Sequence, residues 1–132
     1  MAYAFDVSDP LIRRVAGRKH ITYTITETEV GTADEWSIDI PAFCTVALYE
    51  AELTDAGSAT QIDPELGLAA GWTADTLDEV WPGSTAAAYV REQLDKRIAP
   101  GTSSPTLYGR STPDATADEI VTRITLIEGC DA

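Results

Sequence analysis

Apolar and polar residues alternate along much of the chain. From His20 to Glu29, Ile21, Tyr23 and Ile25 share one face and Thr22, Thr24, Thr26 and Thr28 the other, a pattern that predicts a half-buried strand of high β propensity. A second strand is predicted where Trp36, Ile38 and Ile40 alternate with Ser37 and Asp39 before Pro41. The short link Val30-Gly-Thr-Ala-Asp34 makes these two a candidate hairpin. Residues 43 to 53 form a third extended stretch, apolar enough through Val46, Ala47 and Leu48 to lie inside a sheet. Thr106 to Arg110 reads as a short strand, and Glu119 to Glu128, apolar in part on both faces, as an interior one.

Two segments read as helical. Asp9, Pro10 and Gly17 bracket Leu11-Ile-Arg-Arg-Val-Ala16 in the order of cap, first position and stop, which predicts a short N-terminal helical turn. Ser84 caps a stretch in which Ala86, Val90, Leu94 and Ile98 recur every four residues, with Arg91 and Asp95 paired at the same spacing, which predicts a helix over 84–99. The fold class expected from these elements is mainly β: an antiparallel sandwich or barrel-like domain with one covering helix. An N-terminal arm, 1–19, precedes a single β-rich domain, 20–132. Within that domain residues 55–83 show no sustained period and form a long irregular loop.

Charge sharpens this division. The chain of 132 residues has a net charge of −13, yet residues 1–20 hold Arg13, Arg14, Arg18 and Lys19 against Asp6 and Asp9, a local +2 that leaves −15 on the rest. An acidic body argues against nucleic acid and anionic membrane as partners. No apolar run reaches the length of a membrane span, and the N-terminus lacks the cationic and apolar regions of a signal peptide, so synthesis in a cytoplasm is expected. Cys44 and Cys130 match no zinc spacing and read as small apolar residues rather than a disulfide.

Candidate chemistry is sparse. His20 is the sole histidine, so any nucleophile–base pair built on histidine would need it, and it stands at a strand start beside Arg18 and Lys19. The glycines are dispersed and form no phosphate cradle. The doublets Asp34-Glu35, Asp78-Glu79 and Asp118-Glu119 fit neither a glycosidase pair nor a calcium loop by spacing, and Asp55, Asp63, Glu65, Asp75 and Asp78 read as a solvated acidic face. The expectation is a protein that is not an enzyme and needs no metal or cofactor.

Binding is the stronger expectation. The segment with Leu11, Ile12, Arg13, Arg14, Val15 and Arg18 is either a helical turn docked on its own domain or an arm that packs apolar and cationic residues on a neighbour. Trp72 and Trp81, in the irregular segment, are either core anchors or contact residues for a partner.

Three stretches, Ile21-Thr-Tyr-Thr-Ile-Thr-Glu-Thr-Glu-Val-Gly31, Leu107-Tyr-Gly-Arg-Ser-Thr-Pro-Asp-Ala115 and Ile120-Val-Thr-Arg-Ile-Thr-Leu-Ile-Glu-Gly129, together resemble small structural proteins of tailed bacteriophage particles over about residues 20 to 129. The resemblance implies a β-rich virion component without catalytic residues: a capsid decoration, or cement, protein on the capsid surface. Its partner would be the major capsid protein or another virion protein, with a homo-oligomer as a further possibility and with synthesis in the host bacterial cytoplasm. The alternatives are a tail or neck component and a β-sandwich carbohydrate-binding module exposing Trp36, Trp72 or Trp81.

Overall fold

A computed structural model of the chain describes residues 2–40, 44–68, 79–81, 87–97 and 106–128. Ten strands run through these residues: β1 (Ala4–Val7), β2 (Leu11–Val15), β3 (Arg18–Val30), β4 (Trp36–Asp39), β5 (Cys44–Asp55), β6 (Glu65–Gly67), β7 (Glu79–Trp81), β8 (Tyr89–Arg97), β9 (Thr106–Arg110) and β10 (Ala117–Glu128). They form two antiparallel sheets. The larger runs β1-β3-β10-β5-β8 with β2 also on β3, and the smaller runs β4-β9-β6-β7.

One core joins the sheets. The larger contributes Ile25, Tyr49, Ile120 and Ile124, and the smaller contributes Trp36, Ile38, Leu66 and Leu107, in a single buried cluster. Alternation explains which residues enter it. On β10 the inward set is Ile120, Thr122, Ile124 and Leu126, all fully buried, while Arg123 between them is exposed. Central position follows from pairing on both sides, to β3 from Ala117↔Val30 to Ile127↔His20 and to β5 from Glu119↔Asp55 to Glu128↔Cys44. Trp36 fits the smaller sheet because its cross-strand neighbour is Gly109, where a Cβ would stand 2.0 Å from the indole Cζ2. Any larger residue there would collide with the ring.

Three expectations are corrected by this arrangement. The described residues contain no helix. The segment expected to be a covering helix supplies β8, antiparallel to β5 from Glu52↔Tyr89 to Thr45↔Arg97, with Val90 buried between exposed Tyr89 and Arg91. A four-residue spacing places Val90 and Leu94 on one side of a helix, but four is also twice the strand period, so the same residues share one face of a strand. The N-terminal helical turn is β2. Pro10 interrupts the sheet edge rather than opening a helix, and Gly17 ends the strand in a turn rather than capping a helix.

The expected hairpin of β3 and β4 does not form either. β3 belongs to the larger sheet and β4 to the smaller, where its partner is β9. Between them Glu29 takes a positive φ of 54° and the Gly31 N–H donates to Asp34 Oδ2 at 2.6 Å, so the link turns the chain from one layer to the other. Within the 55–83 segment, β6 and β7 extend the smaller sheet. The loop ahead of β6 is held by Asp114, whose carboxylate accepts the Thr60 N–H at 2.8 Å and the Gln61 N–H at 3.2 Å. The Thr60 hydroxyl, which donates to Asp114 Oδ2, contributes most to stabilising the charged form, and with the two N–H bonds it lowers the Asp114 pKa to about 2.

Candidate interaction surface

β1 and β2 lie end to end along one side of β3. β1 pairs Ala4↔Thr28 to Val7↔Ile25 and β2 pairs Leu11↔Thr22 to Val15↔Arg18, with a one-residue slip in register across Ser8-Asp9-Pro10. Within the described residues neither strand pairs with anything but β3, so together they form a free edge of the larger sheet. The turn into β3 is the two-residue pair Ala16-Gly17, with φ of 51° and 78°. Positive φ at both positions is the primed turn whose twist suits a tight hairpin. Gly17 is needed for that φ and not for space, since no atom lies within 4 Å of where its Cβ would be.

All five residues of β2 are exposed. Leu11, Ile12 and Val15 retain 55%, 52% and 50% of their full accessibility, the three highest values among the large apolar side chains described. Strand alternation puts Leu11, Arg13 and Val15 on one side of the edge and Ile12 and Arg14 on the other. Each side therefore carries apolar surface beside a guanidinium. Arg13, Arg14 and Arg18 enter no ion pair with another described residue, whereas Lys19 Nζ lies 3.4 Å from Glu128 Oε2 at a half-exposed site worth little stability. Arg14, Gly17, Arg18, Lys19 and Glu128 line an open recess of about 270 Å³ at the hairpin tip. Lys19 and Glu128 pair with each other in its lining, which leaves Arg14 and Arg18 to favour a carboxylate over an apolar group.

The structure thus brings Leu11, Ile12, Arg13, Arg14, Val15 and Arg18 into one hairpin. Trp72 lies outside the described residues. Trp81 is the last residue of β7, placed by its backbone at the far edge of the smaller sheet and remote in pairing order from β2. His20 pairs with Arg13 in the same hairpin. Cys44 begins β5, and Cys130 is outside the described residues. Among the described residues no three His, Cys, Asp or Glu side chains converge as a metal site, and no helix is long and apolar enough to cross a membrane.

One buried polar group lies outside the expectations drawn from sequence. Glu27 is fully buried on the inward face of β3, in line with Ile21 and Ile25. Tyr3 donates its hydroxyl to Glu27 Oε2 at 2.8 Å and Ser111 donates to Oε1. The carboxyl thereby ties the residue ahead of β1 to the larger sheet and to the segment following β9 in the smaller one. Burial raises its pKa to about 7 despite the two hydrogen bonds, which act in the opposite sense, and the nearby Asp34 adds to the rise. Burial also pushes the Tyr3 hydroxyl upward, helped by the Glu27 charge. The signal was present in the sequence: an acid at an odd position continues the face of Ile21, Tyr23 and Ile25.

No family model matches the chain, and no curated protein matches it. Among the solved structures that match it are two of low similarity. A chain described as the cyanophage Pam1 capsid asymmetric unit shares 14% identity at a TM-score of 0.45, over 96% of this chain and 86% of that one. The C-terminal CBM6 of LamC, a marine laminarinase from Zobellia galactanivorans, shares 7% identity at a TM-score of 0.37, over 96% of this chain and all of the other. At these scores neither likeness decides between roles.

Proposed function

We propose that the chain is a non-enzymatic structural protein of a tailed-phage particle, a decoration protein that binds the capsid shell through its N-terminal hairpin. The observation that carries this reading is β2: five exposed residues with three large apolar side chains and two arginines, on a chain whose charge is otherwise strongly negative. A monomer gains nothing from such an edge in water, and exposed apolar patches of this kind mark protein contacts. The acidic body keeps free copies apart in solution, and the cationic tip supplies a region attracted to an acidic protein surface. Repeated over a shell, individually modest contacts to neighbouring subunits reinforce one another.

The test is co-sedimentation of the purified chain with particles that lack it, from the phage that encodes it. Wild type is expected to pellet with shells and the double variant Arg13→Glu/Arg14→Glu to remain in the supernatant. Equal pelleting of both would reject the hairpin as the contact. Pelleting with isolated tails instead of shells would reject the capsid placement.

A further inference from the structure

The backbone of β2 says more than its side chains do. In a two-residue hairpin the flanking pair, here Val15 and Arg18, exchanges backbone hydrogen bonds, and bonded and non-bonded pairs then alternate along the ladder. Arg13/His20 and Leu11/Thr22 are the next bonded pairs. The N–H and C=O groups of Ile12 and Arg14 consequently point away from β3, at an edge with no further strand among the described residues. Pro10 has no N–H and closes this edge at one end, and the Ala16-Gly17 turn closes it at the other. What remains is a docking slot five residues long with two outward donors and two outward acceptors.

We propose that β2 is a site of strand addition, and that its occupant is an extended partner segment with two adjacent acidic residues flanked by apolar ones. The inference rests on residues 11–18 being the contact region, and it specifies the partner. Residues directly opposite in paired strands point to the same side, so each β2 residue selects its neighbour. Leu11, Ile12 and Val15 select apolar residues, and the consecutive arginines select consecutive acids, one on each side of the sheet. The acid opposite Arg14 lies on the side of the recess formed with Arg18 and Lys19, where a second cation can reach it. An antiparallel occupant therefore reads apolar-acid-acid-apolar-apolar. Leu77-Asp-Glu-Val-Trp81 of this chain has that order in sequence, so a second copy is the competing occupant. A second copy carries the same net −13, which opposes that association and favours a different protein.

The test follows backbone amides by nuclear magnetic resonance in the full chain, with a blocked peptide Thr-Val-Glu-Glu-Val-Ile-Thr as probe. The amides of Ile12 and Arg14 should exchange fast in the free chain and slow by about tenfold or more at saturating peptide, while Arg13 and Val15 are protected throughout. The Lys-Lys counterpart of the peptide should give no protection, and Arg13→Glu/Arg14→Glu should reverse this preference. Ile12→Pro removes one outward donor without touching a bond to β3 and should weaken binding by about tenfold, against only a few-fold for Ile12→Ala. Unchanged exchange at Ile12 and Arg14 overturns the proposal. So does equal protection by vesicles of phosphatidylserine, or sedimentation as a dimer through this edge. If the chain binds particles but Ile12→Pro and Ile12→Ala bind them equally, strand addition is wrong and hairpin docking stands. If the peptide protects the two amides but the chain ignores particles, the slot stands and the capsid role fails.

Discussion

β10 and β2 are both strands rich in isoleucine, valine or leucine with arginine among them, yet they serve opposite ends. β10 is flanked by β3 and β5 and buries Ile120, Ile124 and Leu126 completely. Among the described residues β2 has one neighbour, and it leaves Leu11, Ile12 and Val15 about half accessible. Apolar content is thus a poor guide to what a strand does; the number of its neighbours decides whether the same residues make a core or a contact surface.

The sharpest way to break this comparison is to truncate or crowd each region. Gly109→Ala should cost the most, about 3 kcal/mol or more, because the new methyl overlaps the buried Trp36 indole. Ile124→Ala should follow at about 3 kcal/mol from the cavity left in the core. Ile12→Ala should stay within about 0.5 kcal/mol of wild type. Urea unfolding followed by tryptophan fluorescence measures all three. A large loss at Ile12 would mean that β2 is structural and not a contact surface.

A second effect, of similar or smaller size, comes from Glu27. Its pKa rises from 4.5 to about 7 on folding, so between those values the folded chain keeps a proton that the unfolded chain has lost. Its stabilising effect is complete below pH 4.5 and is lost as pH rises through 7, a change on the order of 3 kcal/mol. Glu27→Gln should flatten this decline, seen as a stability difference between variant and wild type that grows with pH over that window. Parallel pH profiles for the two would show that Glu27 is not the titrating group.

Asp114 should have the opposite sign and a smaller effect. Its lowered pKa stabilises the fold above its ordinary value and is lost as pH falls toward 2. Asp114→Asn should speed amide exchange at Thr60 and Gln61 without unfolding the sandwich; unchanged exchange at both would show that the carboxylate does not hold this loop. Arg13→Glu/Arg14→Glu belongs with Ile12→Ala at the small end and should leave the melting temperature within a few degrees of wild type. A marked drop in melting temperature would turn its loss of binding into a folding defect.

Much of this architecture was readable from the amino acids, for reasons that differ by strand. β3, β4, β5, β9 and β10 announce themselves because their buried positions alternate with polar ones or run apolar through the sheet interior. β8 does not, because its inward set Val90, Glu92 and Leu94 contains an acid, which breaks the strand alternation and leaves the four-residue spacing to suggest a helix. β2 reads in sequence as a turn of helix because Asp, Pro and Gly punctuate edge strands and hairpins as well as short helices. The residues of the contact region were nonetheless legible from charge: four cations in seven positions on an acidic chain are conspicuous in any conformation. Their arrangement along a free edge was not, since it depends on pairing with β3, and no local pattern encodes which side of β3 is left to β10. Trp72 and Trp81, the other contact candidates, stand out as large indoles in an irregular segment, and the hairpin that gathers the arginines contains neither.

The most direct test of the central claim is an electron-microscopy map of the phage particle at a resolution that traces main chain. Density for residues 11–18 packed against a capsid subunit, with β2 at the contact, is the predicted result. A particle in which this hairpin faces solvent while another surface of the chain meets the shell would contradict it.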